Sequence, residues 1–339
     1  MGRRIIALGA ALGLAGAACA CSTRDPARVG PPPGALASAS ASTPPEPAPP
    51  APPAPPTAPT ASVDAAVDVA TNAGPPPLAA PPEGMALVPA GPFTMGADTV
   101  GEPDEHPSHT VELPAFYLDL TEVSNEAWAR CVAAGACPPP DAASAARNGF
   151  GADLRFRGPR QPVSAVGWDE ARGYCAWLGK RLPTEAEWEK AARGTDARRY
   201  PWGNAEPTLD RAVFSGGGVT ADVGTHPRGA GPYGHLDLAG NVWEWVEDVY
   251  DPYAYTRPGA RLGKGGTCEE ALAALDDLRS HGRQGFTGSN PIPTECEHVL
   301  RGGAFNYSGP GLRSSNRVHH AARFHLVMSG LRCAKSVPE

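Results

Sequence analysis

The stretch from Gly179 to Gly194, Gly-Lys-Arg-Leu-Pro-Thr-Glu-Ala-Glu-Trp-Glu-Lys-Ala-Ala-Arg-Gly, constrains the chain more than any other, because it specifies a helix together with both of its ends. Thr184 can accept the backbone N–H of Glu187 while Glu187 reaches back to the N–H of Thr184, which makes a capping box. Glu185 and Glu187 stand at the positive end of the helix dipole, Lys190 and Arg193 at the negative end, and Gly194 offers the positive φ that stops the helix. Trp188, Ala191 and Ala192 share one side, where the small residues let a neighbouring element approach closely. A second run, Gly240-Asn-Val-Trp-Glu-Trp245, is too aromatic and too acidic for an ordinary connection.

Composition divides the 339 residues into three parts. Arg3 and Arg4, an apolar stretch from Ile5 to Ala18 and small residues ahead of Cys19 and Cys21 read as an export signal, too short to span a bilayer as a mature helix. Leu14-Ala-Gly-Ala-Ala-Cys19 resembles a bacterial lipobox, which implies that Cys19 or Cys21 is acylated and that the mature chain is a lipoprotein of the cell envelope. Residues 22–83 are mostly Pro and Ala with hardly any charge, a composition that cannot offset ordering entropy and reads as a disordered spacer. At about 3.1 Å per residue, such Pro-rich chain reaches on the order of 100 to 150 Å. Residues 84–339 are long enough for one large domain with its own core. The net charge of −7 is interspersed and no basic stripe with aromatics occurs, so a nucleic-acid partner is not expected.

Beyond Cys19 and Cys21, the domain holds Cys131, Cys137, Cys175, Cys268, Cys296 and Cys333. An even number in an exported chain argues for a disulfide framework rather than free thiols. Cys131 and Cys137 bracket a helix end and turn, and Cys268 and Cys296 bracket what reads as an irregular, charged insertion. Cys175 and Cys333 remain, and their pairing would tie the centre of the domain to its end. No CxxC or Cys/His spacing suggests zinc.

Met85 to Gly96 reads as two short extended pieces joined by a Gly-Pro turn, Glu102 to His109 as a polar loop, and His109–Leu113 and Phe116–Val123 as extended runs. Ser124 or Asn125 caps a helix running to Ala134, and a second helix begins at Asp169 with Cys175 facing inward. Tyr200-Pro-Trp-Gly203 is a rigid aromatic turn, and the glycine-rich stretch from Phe214 to Gly240 is long enough to signal a ligand or an ordered ion. Asp237 and Glu244 supply carboxylate oxygens and the Gly240 turn can expose carbonyls between them, the hard ligands that calcium takes; the alternative is a carboxylate pair that caps turns and meets arginines. Arg301-Gly-Gly303 reads as a strand entering a tight turn. Beyond it, His319 and His320 would point to opposite faces of a strand, so one ion shared with His325 is not expected; a polar, ligand-facing cleft or a hydrogen-bonded core arginine set is.

Five motifs in order, from Gly179 to Glu189, Tyr200-Pro-Trp-Gly203, Gly240 to Trp245, Arg301-Gly-Gly303 and Gly330-Leu-Arg-Cys333, resemble the formylglycine-generating enzyme (sulfatase-modifying factor) domain. The resemblance implies an irregular α+β fold, C-type-lectin-related, with little regular secondary structure. In that family, oxidases convert a sulfatase cysteine to formylglycine with a copper ion held by two cysteines, and the matching positions here are Tyr307 and Leu312. Neither can hold copper(I), which demands soft thiolates. The family's calcium site maps onto Asp237, the Gly240 and Val242 carbonyls and Glu244, and its fold-stapling disulfide onto Cys175 and Cys333. An iron-dependent branch that makes sulfoxides keeps its iron ligands in a separate domain, and other relatives are motility and secretion lipoproteins with structural roles.

The sequence is therefore expected to encode a lipid-anchored binding or scaffold module of the envelope, stabilised by calcium, whose partner is an envelope protein, a peptide or a glycan. The rival expectation is an oxidase or protein-modifying enzyme working through Asn306, Tyr307, Arg313, His319, His320 or His325.

Overall fold

A computed structural model describes residues 80–140, 154–216, 218–283 and 291–338. The export signal, Cys19, Cys21 and all but the end of the spacer lie outside the described residues.

Helices form where the sequence provides caps. α1 (Asn125–Ala133) starts at Ser124, whose hydroxyl accepts the Ala127 N–H at 3.2 Å. α2 (Trp168–Trp177) places Cys175 in the interior. α3 (Glu185–Arg193) has the expected box, with Glu187 N–H on Thr184 at 3.1 Å and Thr184 N–H on Glu187 at 2.8 Å. The supposedly irregular insertion after Cys268 instead begins with a helix: α4 (Cys268–Ser280) is capped by Thr267 and Glu270 and buries Ala271, Leu275 and Leu278.

The strands are short. β1 (Met85–Val88) and β4 (Phe116–Asp119) pair antiparallel, and β9 (Ala334–Ser336) adds to the other side of β4. β2 (Gly91–Met95) pairs with β3 (His109–Leu113); the break from β1 falls at Pro89 and Ala90, so Gly91 and Pro92 belong to the strand rather than to the turn. β5 (Trp243–Val249), β6 (Glu297–Arg301) and β7 (Arg317–Ala321) form an antiparallel set, and β8 (Ser329–Gly330) joins β5 in parallel. The cysteines pair as Cys131–Cys137, Cys175–Cys333 and Cys268–Cys296.

All nine residues of α3 are buried, including Glu185, Glu187, Glu189, Lys190 and Arg193, so the helix packs on every side and not only through Trp188 and its alanines. So polar a helix is tolerated in the interior because its charges find partners. The Lys190 ammonium donates to the Pro89 and Gly91 carbonyls at 2.7 Å each, and Arg193 donates to Glu189 at 2.8 Å. Arg301, fully buried, donates to Glu189 at 2.5 Å and to the Ser314, Ser315 and Asn316 carbonyls at 2.7 to 2.9 Å. Arg317 grips both oxygens of Glu185 at 2.7 and 3.0 Å while lying over the Tyr255 ring. The loop from Glu102 to His109 is drawn in as well: Asp104 and Glu105 are buried, and Glu105 accepts from Arg313 at 2.5 Å and Ser315 at 2.7 Å.

Removing one partner from a buried ion pair strands the other. Arg301→Met is expected to lower the unfolding free energy by roughly 3–5 kcal/mol in a denaturant titration; a change within about 1 kcal/mol, the scale of an exposed pair, would refute this account of the core.

Candidate functional site

β6 runs into Gly302 and Gly303, which have φ of 100° and 81°. A side chain on Gly303 would meet Leu312 Cδ2 at 2.5 Å and the Gly311 carbonyl oxygen at 2.9 Å, so the paired glycines set the close packing of the segment that follows. That segment carries the two positions matching the copper ligands. Leu312 is fully buried among Tyr200, Ala212 and Ala239. Tyr307 is half-buried, its ring edge-on to Trp243 at 5.1 Å, and its backbone carbonyl accepts the Ser215 N–H at 2.8 Å. Burial pushes the Tyr307 phenol up. All six cysteines of the described domain are in disulfides, so no described thiol is available to this face.

The remaining catalytic candidates do not converge. Asn306 is exposed. Arg313 serves Glu105 and the Pro310 carbonyl. His319 and His320 do lie on opposite faces of β7: His319 is buried against Glu297 and Tyr250, whereas His320 stacks on Phe324, and burial pushes its imidazole down to about 4. His325 pairs with Glu170 of α2 at 3.1 Å. Strand alternation and separate partners keep the three histidines apart.

The turn before β5 gathers a group that sequence reading only half identified. Asp237 and Asn241 both have φ of 59°, and Gly240 has 85°. Asp237 accepts the Gly224 N–H at 2.6 Å. Glu244 takes the Arg332 guanidinium on both oxygens, at 2.6 and 2.8 Å, and the Trp188 indole N–H at 2.8 Å. Glu122, missed in the sequence, accepts from Asn241 at 2.7 Å and Val242 N–H at 3.1 Å. Its signal was its place just before the Ser124 cap, in a run otherwise read as plain strand. Burial, then the charges of Asp237 and Glu244, hold the Glu122 carboxyl well above its ordinary range, and burial also raises Asp237. Among the described residues no three His, Cys, Asp or Glu side chains converge to hold a metal. The set carried over for calcium is two carboxylates and two carbonyls, and it fits a cation in one respect: Arg332 is bonded to Glu244, and the carboxyls of Glu122 and Asp237 are pushed up in an interior short of positive charge. Any ion there shares Glu244 with Arg332.

A family model described as "Sulfatase-modifying factor enzyme 1-like domain" matches residues 71–337. The chain belongs to this family. It is 35% identical over 220 residues to "Hercynine oxygenase" of Mycolicibacterium smegmatis, covering 53% of this chain and 51% of that protein. It is also 35% identical over 233 residues to "Formylglycine-generating enzyme" of Thermomonospora curvata, covering 53% and 77%. A match at 32% to "Serine/threonine-protein kinase pkn1" of Chlamydia caviae covers 75% of this chain and 38% of that one. The chain thus spans about half the length of the hercynine oxygenase, and less of the kinase. In three dimensions it resembles PvdO from Pseudomonas aeruginosa, with a TM-score of 0.56 and 25% identity over 74% of this chain and 94% of that one. Treponema denticola variable protein 1 shares the fold at a TM-score of 0.52 and 22% identity over 75% of this chain and 95% of that one. The α+β, C-type-lectin-related architecture implied by the resemblance is the one observed.

Proposed function

We propose that this chain is an exported, lipid-anchored member of the family that acts as a binding or scaffold module and does not carry the copper oxidase. The observation that supports this most directly is the replacement at the copper positions: a phenol and a buried aliphatic side chain stand there, and the domain's cysteines are committed to disulfides. The names of the relatives favour a second reading, an oxidase or protein-modifying enzyme, but it would have to use residues that here serve separate neighbours. In the purified, folded chain without reductant, the domain cysteines are expected to resist thiol reagents, and added Cu(I) to give no oxygen consumption with a cysteine peptide. A reactive cysteine pair that binds Cu(I) tightly would overturn the proposal.

The anchor belongs to the same proposal, with Cys19 or Cys21 as the acylated residue and the spacer standing the domain off its membrane in the cell envelope. Cells grown with labelled palmitate are expected to label the chain, and substitution of one of the two cysteines to abolish the label. Unlabelled protein would exclude a lipoprotein.

Calcium is the proposed structural ion, held by Asp237, Glu244 and the Gly240 and Val242 carbonyls. It would supply positive charge to an interior short of it and pin the turn. A chelator is expected to lower the melting temperature of the parent and to leave that of Glu244→Gln unmoved. An equal response in both proteins, or none in the parent, would count against the ion.

A further inference from the structure

Pro291, Ile292, Pro293, Thr294, Glu297 and His319 bound a cleft of about 310 Å3 that shares no lining residue with the Tyr307–Leu312 face. Its chemistry follows from the register of β6 and β7. Val299 lies opposite His319, so Glu297, two residues earlier, stands on the same face as the imidazole. Glu297 Oε2 meets His319 Nδ1 at 2.5 Å, and the ring is clamped by stacking on Tyr250 with centroids 3.8 Å apart. The ring meets the carboxylate through Nδ1, which leaves Nε2 as its remaining polar atom. The His319 side chain is 2% exposed and its Nε2 is buried without a hydrogen-bond partner. The contact uses Oε2 of Glu297 and leaves Oε1 off the ring, on a side chain that is 17% exposed. The cleft therefore sets a carboxylate beside an unpartnered ring nitrogen, with the Thr294 hydroxyl and the His320 ring as its other polar groups.

Its charge agrees. Glu295, a second carboxylate in the lining, is paired with Arg323, so Glu297 supplies the acidic end, and no lysine or arginine is among the lining residues. Burial keeps His320, also in the wall, uncharged near neutral pH. Arg323 already lays its guanidinium on both oxygens of Glu295 at 2.6 Å, which shows the geometry these carboxylates accept. Two prolines and an isoleucine supply an apolar wall beside the acidic end, the complement of a side chain with an aliphatic stem and a cationic head.

We infer that this cleft binds a basic side chain, arginine or lysine, presented by a partner protein, with the stem along Pro291–Pro293 and the head on Glu297. The site stands on its own lining and does not depend on the absence of oxidase chemistry. Calorimetric titration of the full purified chain with N-acetyl-arginine amide and N-acetyl-lysine amide tests it, with N-acetyl-glutamine amide as the uncharged control. Saturable, salt-sensitive binding of the cations is expected, weakened at least tenfold in Glu297→Gln and in Thr294→Lys. The second variant leaves the Glu297–His319 contact intact and puts a competing ammonium in the cleft. No saturable binding at millimolar concentration, equal binding of the glutamine amide, or undiminished binding in a folded Thr294→Lys protein would overturn the inference.

Discussion

The fold depends on a guanidinium with no access to water. Arg301 leaves the end of β6, reaches Glu189 in the middle of α3 and gathers the carbonyls of Ser314, Ser315 and Asn316. One side chain thereby joins the central sheet, the most deeply buried helix and the loop leading into β7. An apolar contact could hold these elements together at similar cost, but only a planar donor fork fixes their mutual orientation while satisfying carbonyls that have left regular secondary structure. In a chain whose strands run two to seven residues, such cross-links do what long ladders do elsewhere.

The same frame surrounds the positions that the resemblance matches to the copper ligands. The Gly302–Gly303 turn, Trp243 and the Arg301 network persist around Tyr307 and Leu312, and Leu312 completes a cluster with Tyr200, Ala212 and Ala239. Apolar packing now fills a position where the family's oxidases are implied to place a reactive sulfur. What remains outward-facing is Asn306 and part of Tyr307.

Local signals were legible and long-range ones were not. The α3 caps, the Ser124 cap, the alternation of His319 and His320 and the Cys131–Cys137 disulfide could be read from neighbouring residues or from spacing, whereas Cys175–Cys333 was implied by the family resemblance. α4 was overlooked although Thr267 and Glu270 mark its start, because the flanking glycines and charges outweighed an apolar set of Ala271, Leu275 and Leu278. Glu105 could not be seen as buried, since the arginine that compensates it, Arg313, lies 208 residues away. Arg317 and Glu185 pose the same problem across 132 residues. A charged residue reads as solvated until its partner is known, so the interior network was hidden in residues that composition assigns to the surface.

β1, where the described domain begins, pairs with β4, and β4 pairs with β9, whose neighbour Cys333 is bonded to Cys175 across 158 residues. Tension applied to the chain ahead of Met85 therefore enters through the four residue pairs of β1 and β4 and meets a covalent stop one strand further on. The domain's mechanical weak point is its first strand, which can peel away while the Cys175–Cys333 link holds the remainder in register.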